Sequence, residues 1–141
     1  MNRTSSFIPI LNIFLFSFFT SFTLFGQAEN SVKDTIPVIT FDQPFFDLGQ
    51  LDSGVVATFD MGFKNTGSGA LLIEVVTACK CTEIQWPREP IMPGDSGVIQ
   101  VSFDTRGQPL GKIKKTIDII ANTDPIVIEA EMRCELVERG D

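Results

Sequence analysis

From Val55 to Lys64 the chain alternates without a break: Ala57, Phe59, Met61 and Phe63 fall on one side, Thr58, Asp60, Gly62 and Lys64 on the other. An extended strand puts successive side chains on opposite faces, so this run reads as a β-strand with one apolar and one wet face. The pattern recurs along the chain. Ala70 to Thr77 places Leu71, Ile73 and Val75 inward, and Val98 to Asp104 does the same with Ile99, Val101 and Phe103. Lys112 to Ala121 and Ile126 to Cys134 add two more runs, and Thr82 to Trp86 a short one. Val38 to Phe41 and Phe45 to Leu48 read as a first strand broken at Pro44; proline lacks a ladder donor, which assigns that strand to a sheet edge.

Turn residues separate the runs: Leu51 to Gly54, Asn65 to Gly69, Pro93-Gly94, Thr105 to Gly111 and Asn122 to Pro125. No segment carries a helical period. About seven short strands at this spacing predict an all-β, antiparallel, immunoglobulin-like β-sandwich. The shared interior is expected to hold Phe59, Met61, Phe63, Leu71, Ile73, Val75, Ile99, Val101, Phe103, Ile117, Ile119 and Ile128.

The first residues follow a different rule. Phe7 to Phe25 is uncharged and rich in Phe, Ile and Leu, Arg3 is the charge before it, and Gly26-Gln27-Ala28 follows. A basic start, an apolar middle and a small-x-small exit describe a cleaved signal peptide over residues 1–28, against the rival of a retained membrane anchor. Residues 29–36 then read as a flexible lead-in, 37–134 as the sandwich and 135–141 as a charged tail. Cleavage would leave 113 residues (141 − 28) with 10 basic and 18 acidic side chains, a net charge of −8. That balance argues against nucleic acid as a partner. It gives no positive evidence about partners; export implies a periplasmic or extracellular location, with an unknown protein or cell-envelope partner and no stable membrane span after cleavage.

Six motifs in order carry a family likeness: Phe46-Asp47-Leu48-Gly49 with Gly54, Phe63-Lys64-Asn65-Thr66-Gly67, Cys79-Lys80-Cys81-Thr82, Pro90 to Asp95, Gly111-Lys112 with Lys115-Thr116, and Ala121-Asn122-Thr123. Over about residues 41 to 132 the chain resembles the secreted bacterial domain-of-unknown-function family fifteen-seventy-three, itself similar to immunoglobulin-like modules of the major-sperm-protein and hydin type. The resemblance implies fold and export and brings no activity. The family's commonest central motif is Cys-Gly-Cys-Thr. Lys80 stands here in place of that Gly, which bears on the corner's backbone because Gly reaches positive φ freely. Cys134 is not a feature of the family.

The Cys-x-Cys corner is the strongest chemical feature. Simple up-and-down alternation brings Cys79, Cys81 and Cys134 to one pole with the loops Leu51 to Gly54 and Thr105 to Gly111, and Lys115, in the inward register, lies near the same pole. A nearby ammonium lowers a thiol's pKa and raises its reactivity. Four readings stand. They are a Cys79–Cys81 disulfide, which needs a tight turn; a bridge to Cys134, which an intervening strand would hold beyond reach; a soft-metal site such as Cu(I) on Cys79 and Cys81; and idle thiols. Cys134 is expected to be free and inert.

Catalytic constellations are thin. The chain has no His and no Tyr, so it contains no Ser–His or Cys–His pair and no His-built zinc site. Glu129 and Glu131 share a face but read more simply as solvating charges, as do Lys112 and Lys114. Trp86 with Pro90, Ile91, Pro93, Gly94 and Asp95 forms a candidate recognition loop, with Trp86 more simply a core plug. The expected function is a non-enzymatic structural or interaction module without a cofactor. The alternative is a thiol site at Cys79 and Cys81, metal-binding or redox-active.

Overall fold

The computed structural model describes residues 35–140; the leader and the first part of the lead-in lie outside them. Eight strands follow in chain order: β1 (Ile39–Phe41), β2 (Phe46–Asp52), β3 (Val56–Asn65), β4 (Ile73–Thr77), β5 (Thr82–Gln85), β6 (Ser96–Asp104), β7 (Gly111–Ala121) and β8 (Val127–Val137). They form two four-stranded sheets, ordered β1-β3-β6-β5 and β2-β8-β7-β4. Among the described residues no helix is long and apolar enough to cross a membrane. The fold is the all-β, immunoglobulin-like sandwich that the alternation predicts.

The apolar phase of each strand faces the other sheet. Met61, Leu71, Ile73, Ile99, Val101, Phe103, Ile117 and Ile119 are buried, Phe63 with them, and Phe59 and Ile128 pack partly buried against this cluster. Val75 is the exception. The β4–β7 register advances from Ile73↔Ala121 to Val75↔Ile120, so Glu74 is an extra residue on β4. A bulge of this kind reverses the phase beyond it. Val76 is therefore buried and Val75 is 41% exposed.

Pro44 does break the first strand, and the break moves the chain from one sheet to the other. β1 pairs antiparallel with β3, whereas β2 pairs parallel with β8, the one parallel pairing among the described strands. Both halves lie on sheet edges, as a proline-flanked strand should.

The limits at both ends shift. Ile36 O accepts from Ser68 N–H (2.9 Å) and Val38 O from Thr66 N–H (2.9 Å), so the end of the lead-in is bound to the Asn65–Gly69 turn. At Gly67 and Gly69 an added Cβ would stand 2.3 and 2.4 Å from the Ile36 and Thr35 carbonyl oxygens, so glycine permits this close approach. At the other end β8 continues through Leu136, which is 2% exposed, to Val137, so the charged tail begins three residues later than residue 135.

Two buried polar residues hold the poles. Asn65 Nδ2 donates to Gly69 O (2.8 Å) and Ile91 O (2.9 Å), while Oδ1 accepts from Val38 N–H (3.3 Å) and Gly67 N–H (3.1 Å). At the opposite end Thr105 Oγ1 donates to Val55 O (2.7 Å) and accepts from the N–H groups of Gly54 and Val55, both at 2.9 Å. The end of β6 is thereby tied to the turn between β2 and β3.

Candidate functional site

β4 ends at Thr77, and the chain must cross to β5 in the other sheet; Cys79-Lys80-Cys81 makes that crossing. The turn is tight because Thr82 closes it twice, its N–H at 3.0 Å and its Oγ1–H at 2.8 Å both donating to Cys79 O. Asp104 N–H donates to Cys81 O (2.8 Å), pinning the corner to β6. The Cys79 and Cys81 Cα atoms are 5.2 Å apart and the sulfurs lie at disulfide distance. Among the described residues no side-chain-bearing residue has positive φ, so Lys80 sits at an ordinary backbone conformation and the corner does not need the glycine common in the family.

A surface cavity of about 410 Å³ opens beside this corner, lined by Cys79, Lys80, Cys81, Asp104, Arg106, Gln108 and Lys115. Both cysteines are half-buried, so their sulfurs border a space that another molecule can enter. Lys115 is half-buried on the inward register of β7 and lines the cavity. The one carboxylate in the lining, Asp104, is held by Arg106: the guanidinium donates through Nε at 2.9 Å and Nη2 at 2.5 Å. That hydrogen bonding keeps the Asp104 carboxyl at about 2, and the carboxylate in turn raises Arg106. Lys80 and Lys115 line the same cavity without a salt bridge among the described residues.

Cys134 does not line this cavity. It pairs with Ile113 across the β7–β8 ladder, and β7 separates β8 from β4. It is a free thiol, 5% exposed, whose pKa is raised first by burial and then by Asp47, with Lys115 acting in the opposite direction. Thiolate character is therefore suppressed where Cys134 sits.

A disulfide between residues two apart closes a very short loop. Such a loop removes about 1.5 kcal/mol of conformational freedom from the unfolded chain, against about 3 kcal/mol for a loop of about 15 residues. Replacing both Cys79 and Cys81 by Ser is accordingly expected to lower stability by no more than about 1.5 kcal/mol, read from denaturant midpoints at unchanged m-value. A loss of 3 kcal/mol or more, on the order of a long-range bridge, would show the pair to be a structural staple.

The candidate recognition loop is anchored rather than free. Ile91 is buried and exchanges two backbone hydrogen bonds with Leu71, both 2.8 Å. Gly94, at φ +87°, donates to Asn65 O (2.8 Å), and Asp95 O accepts from Asn65 N–H (2.9 Å). Pro90 and Pro93 flank this anchor and are exposed. Trp86 packs half-buried against the core, and the Arg88 guanidinium stacks 3.8 Å from its ring centroid. Its indole Nε1–H is buried with no hydrogen-bond partner among the described residues. An unpaired buried donor carries a desolvation penalty of about 1–3 kcal/mol. Trp86→Phe removes that donor along with some apolar area, so its stability should stay within about 1 kcal/mol of the parent, while Trp86→Ala should lose about 3 kcal/mol. Equal losses in the two variants would mean that the indole N–H is satisfied in solution.

Glu131 forms ion pairs with Lys114 and Arg133 on the outer face of the β7–β8 ladder. The Lys114 hydrogen bond, and then Arg133, hold its carboxyl below the ordinary range. A carboxylate kept ionised by two cations is not one member of a proton-sharing pair with Glu129. Among the described residues no group of three or more His, Cys, Asp or Glu side chains is placed to hold a metal ion.

A family model described as a protein of unknown function, DUF1573, matches residues 39–136. No curated protein matches the sequence. Among solved structures, a protein of unknown function from Porphyromonas gingivalis W83 is similar at 24% identity and a TM-score of 0.61, with 72% of this chain and 47% of that one covered. The secreted serine protease VesC from Vibrio cholerae is similar at 12% identity and a TM-score of 0.57, over 73% of this chain and 24% of that one. The PapD-like domain 7 of human CEP192 aligns at 8% identity and a TM-score of 0.54, covering 72% of this chain and 87% of that one. At these identities the likeness concerns the fold.

Proposed function

The chain belongs to the DUF1573 family, whose description assigns no activity, and from the way its polar groups are placed we propose that it is an exported, non-enzymatic interaction module that meets its partner at the disulfide pole. One observation carries this reading. The buried polar side chains Asn65, Thr105 and Thr123 are each engaged with the backbone of a turn, whereas Lys80, Lys115 and Gln108 border an open cavity without a salt bridge or side-chain hydrogen bond among the described residues. The interior holds the fold and the pole is left to make contacts.

Export follows from the leader pattern in residues 1–28. Intact-mass analysis of material from the cell envelope or medium should find a chain beginning at Glu29; a dominant species retaining Phe7 to Phe25 would replace export by anchoring. A soft-metal role for Cys79 and Cys81 is less well supported, because the two sulfurs that would bind Cu(I) are at disulfide distance from each other.

A photo-activated cross-linker placed at Lys80 in the native cell tests the binding reading. A discrete adduct from Lys80 and none from the same group at Thr116, on the outer face of β7, supports a contact at the pole. Equal labelling at the two positions, or none at Lys80, removes it.

A further inference from the structure

We propose that the Cys79–Cys81 disulfide is a stoichiometric thiol–disulfide exchange site for thiols carried by anionic molecules, with Lys80 and Lys115 as the residues that select them. The disulfide fixes little of the fold: it joins residues two apart, and the corner is already held by Thr82 on Cys79 O and by Asp104 N–H on Cys81 O. Those backbone bonds do not involve sulfur, so breaking the S–S bond leaves the two side chains facing each other. Three cations and one carboxylate line the cavity, a local charge of +2 (3 − 1) on a chain whose total is −7. The carboxylate is paired with Arg106, so Lys80 and Lys115 are the cations left unpaired, among the described residues, in the cavity that the two cysteines line. An incoming thiolate with neighbouring carboxylates is drawn to such a spot, and the thiolate it displaces is stabilised there.

The chemistry balances in two displacements. The incoming thiolate attacks one sulfur of the pair, the Cys79–Cys81 bond breaks, a mixed disulfide forms and the electron pair leaves on the other cysteine as a thiolate beside the ammonium groups. A second thiol of the same molecule, or of another copy of it, then attacks the mixed disulfide as its thiolate. The chain is released as a dithiol and the partner as a disulfide. Two electrons pass from partner to chain, and the two protons given up by the partner thiols end on Cys79 and Cys81 through solvent. Cys134 takes no part, since it is buried two strands away.

This chemistry uses the pole of the binding reading but needs only an encounter, so exchange without a cross-linked partner, or a cross-linked partner without exchange, tells the two apart. The oxidised full-length protein is incubated at low ionic strength with glutathione, with an acidic cysteine-bearing peptide and with cysteamine, and reduction is followed by acid quench, alkylation and intact mass. Per unit of thiolate, the two anionic thiols should react at least about tenfold faster than the cationic one, and 1 M salt should erase the difference. Lys80→Gln with Lys115→Gln should abolish the preference; Lys112→Gln, on the outward register of the same strand, should keep it. Lys80→Gln alone, at an exposed position, should reduce it even if the double variant fails to fold. A response to glutathione alone identifies a small thiol as the natural source and a response to the peptide alone a polypeptide; either supports the site. Equal rates for anionic and cationic thiols in the parent, or a preference untouched in Lys80→Gln and in the folded double variant, would overturn it.

Discussion

Asn65→Leu is expected to lower stability by about 4 kcal/mol, a large fraction of the roughly 5–15 kcal/mol that holds an ordinary domain. Leucine keeps the branched outline but is bulkier, so overpacking adds to the loss of the amide's hydrogen bonds. Asn65 is fully buried, and its amide makes four hydrogen bonds to backbone groups of three separate segments: Val38 after the lead-in, Gly67 and Gly69 in the following turn, and Ile91 in the loop before β6. Removing it strands the buried Gly69 carbonyl, at about 1–3 kcal/mol, and two partly buried N–H groups at less, while Ile91 O loses one donor and keeps Leu71 N–H. Asn65→Asp separates the two halves of the role. The new carboxylate can still accept from Val38 and Gly67 but faces the Gly69 and Ile91 carbonyls with no proton to give, so its pKa in the folded state rises above the unfolded value. Stability should therefore be partly regained below the unfolded carboxyl pKa and lost as pH rises through the folded one. Urea midpoints across pH read this directly. A loss under about 1 kcal/mol for Asn65→Leu would mean that water replaces the amide in those turns.

Asn65 also marks how far the sequence could be read. Its neighbours Thr66-Gly67-Ser68-Gly69 declare a turn, and the turn is there; nothing in composition distinguishes an Asn that tolerates positive φ from one whose amide is buried among three backbone segments. The strands were legible wherever alternation is unbroken, as in β3, β6 and β7, because a period of two has one structural meaning. Val75 departs from the expected phase for the same reason: one unpaired residue at Glu74 inverts it, and a bulge leaves no mark in hydrophobicity. The break at Pro44 was readable, whereas the transfer of β2 to the other sheet was not, since pairing partners 85 residues apart, such as Gln50 and Glu135, leave no local signal. Leu136, between Glu135 and Val137, shows how a charged neighbourhood conceals the end of a strand. At the pole, the Cys-x-Cys spacing and the register of Lys115 point to groups that line one cavity, whereas Cys134, expected at the same pole, does not line it. The neutralisation of Asp104 by Arg106 depends on a side-chain geometry within the turn after β6 that spacing alone does not determine.

Phe103→Ala is expected to cost about 3–5 kcal/mol, the range for truncating a buried aromatic ring. Phe103 is fully buried on β6, an interior strand of its sheet, opposite Ala57 on β3 and Thr82 on β5. Both cross-strand neighbours are small. Neither can extend to fill the space a missing ring leaves, so the site collapses poorly and the loss should fall toward the upper end of the range. The control lies one residue earlier. Ser102 is on the opposite face of the same strand, where its hydroxyl meets Thr58 Oγ1 at 3.1 Å on the solvent side, and Ser102→Ala should change stability by no more than about 0.5 kcal/mol. Because Asp104 N–H holds Cys81 O, the same pair of variants reports on the corner as well. If the core behind β6 keeps that corner in place, Phe103→Ala but not Ser102→Ala should raise amide exchange at Asp104 under native conditions. Similar midpoints for the two variants would mean that the phase of β6 is reversed, with the ring on the outer face. A large loss with Asp104 exchange unchanged would instead assign the corner's rigidity to Thr82 and the disulfide alone.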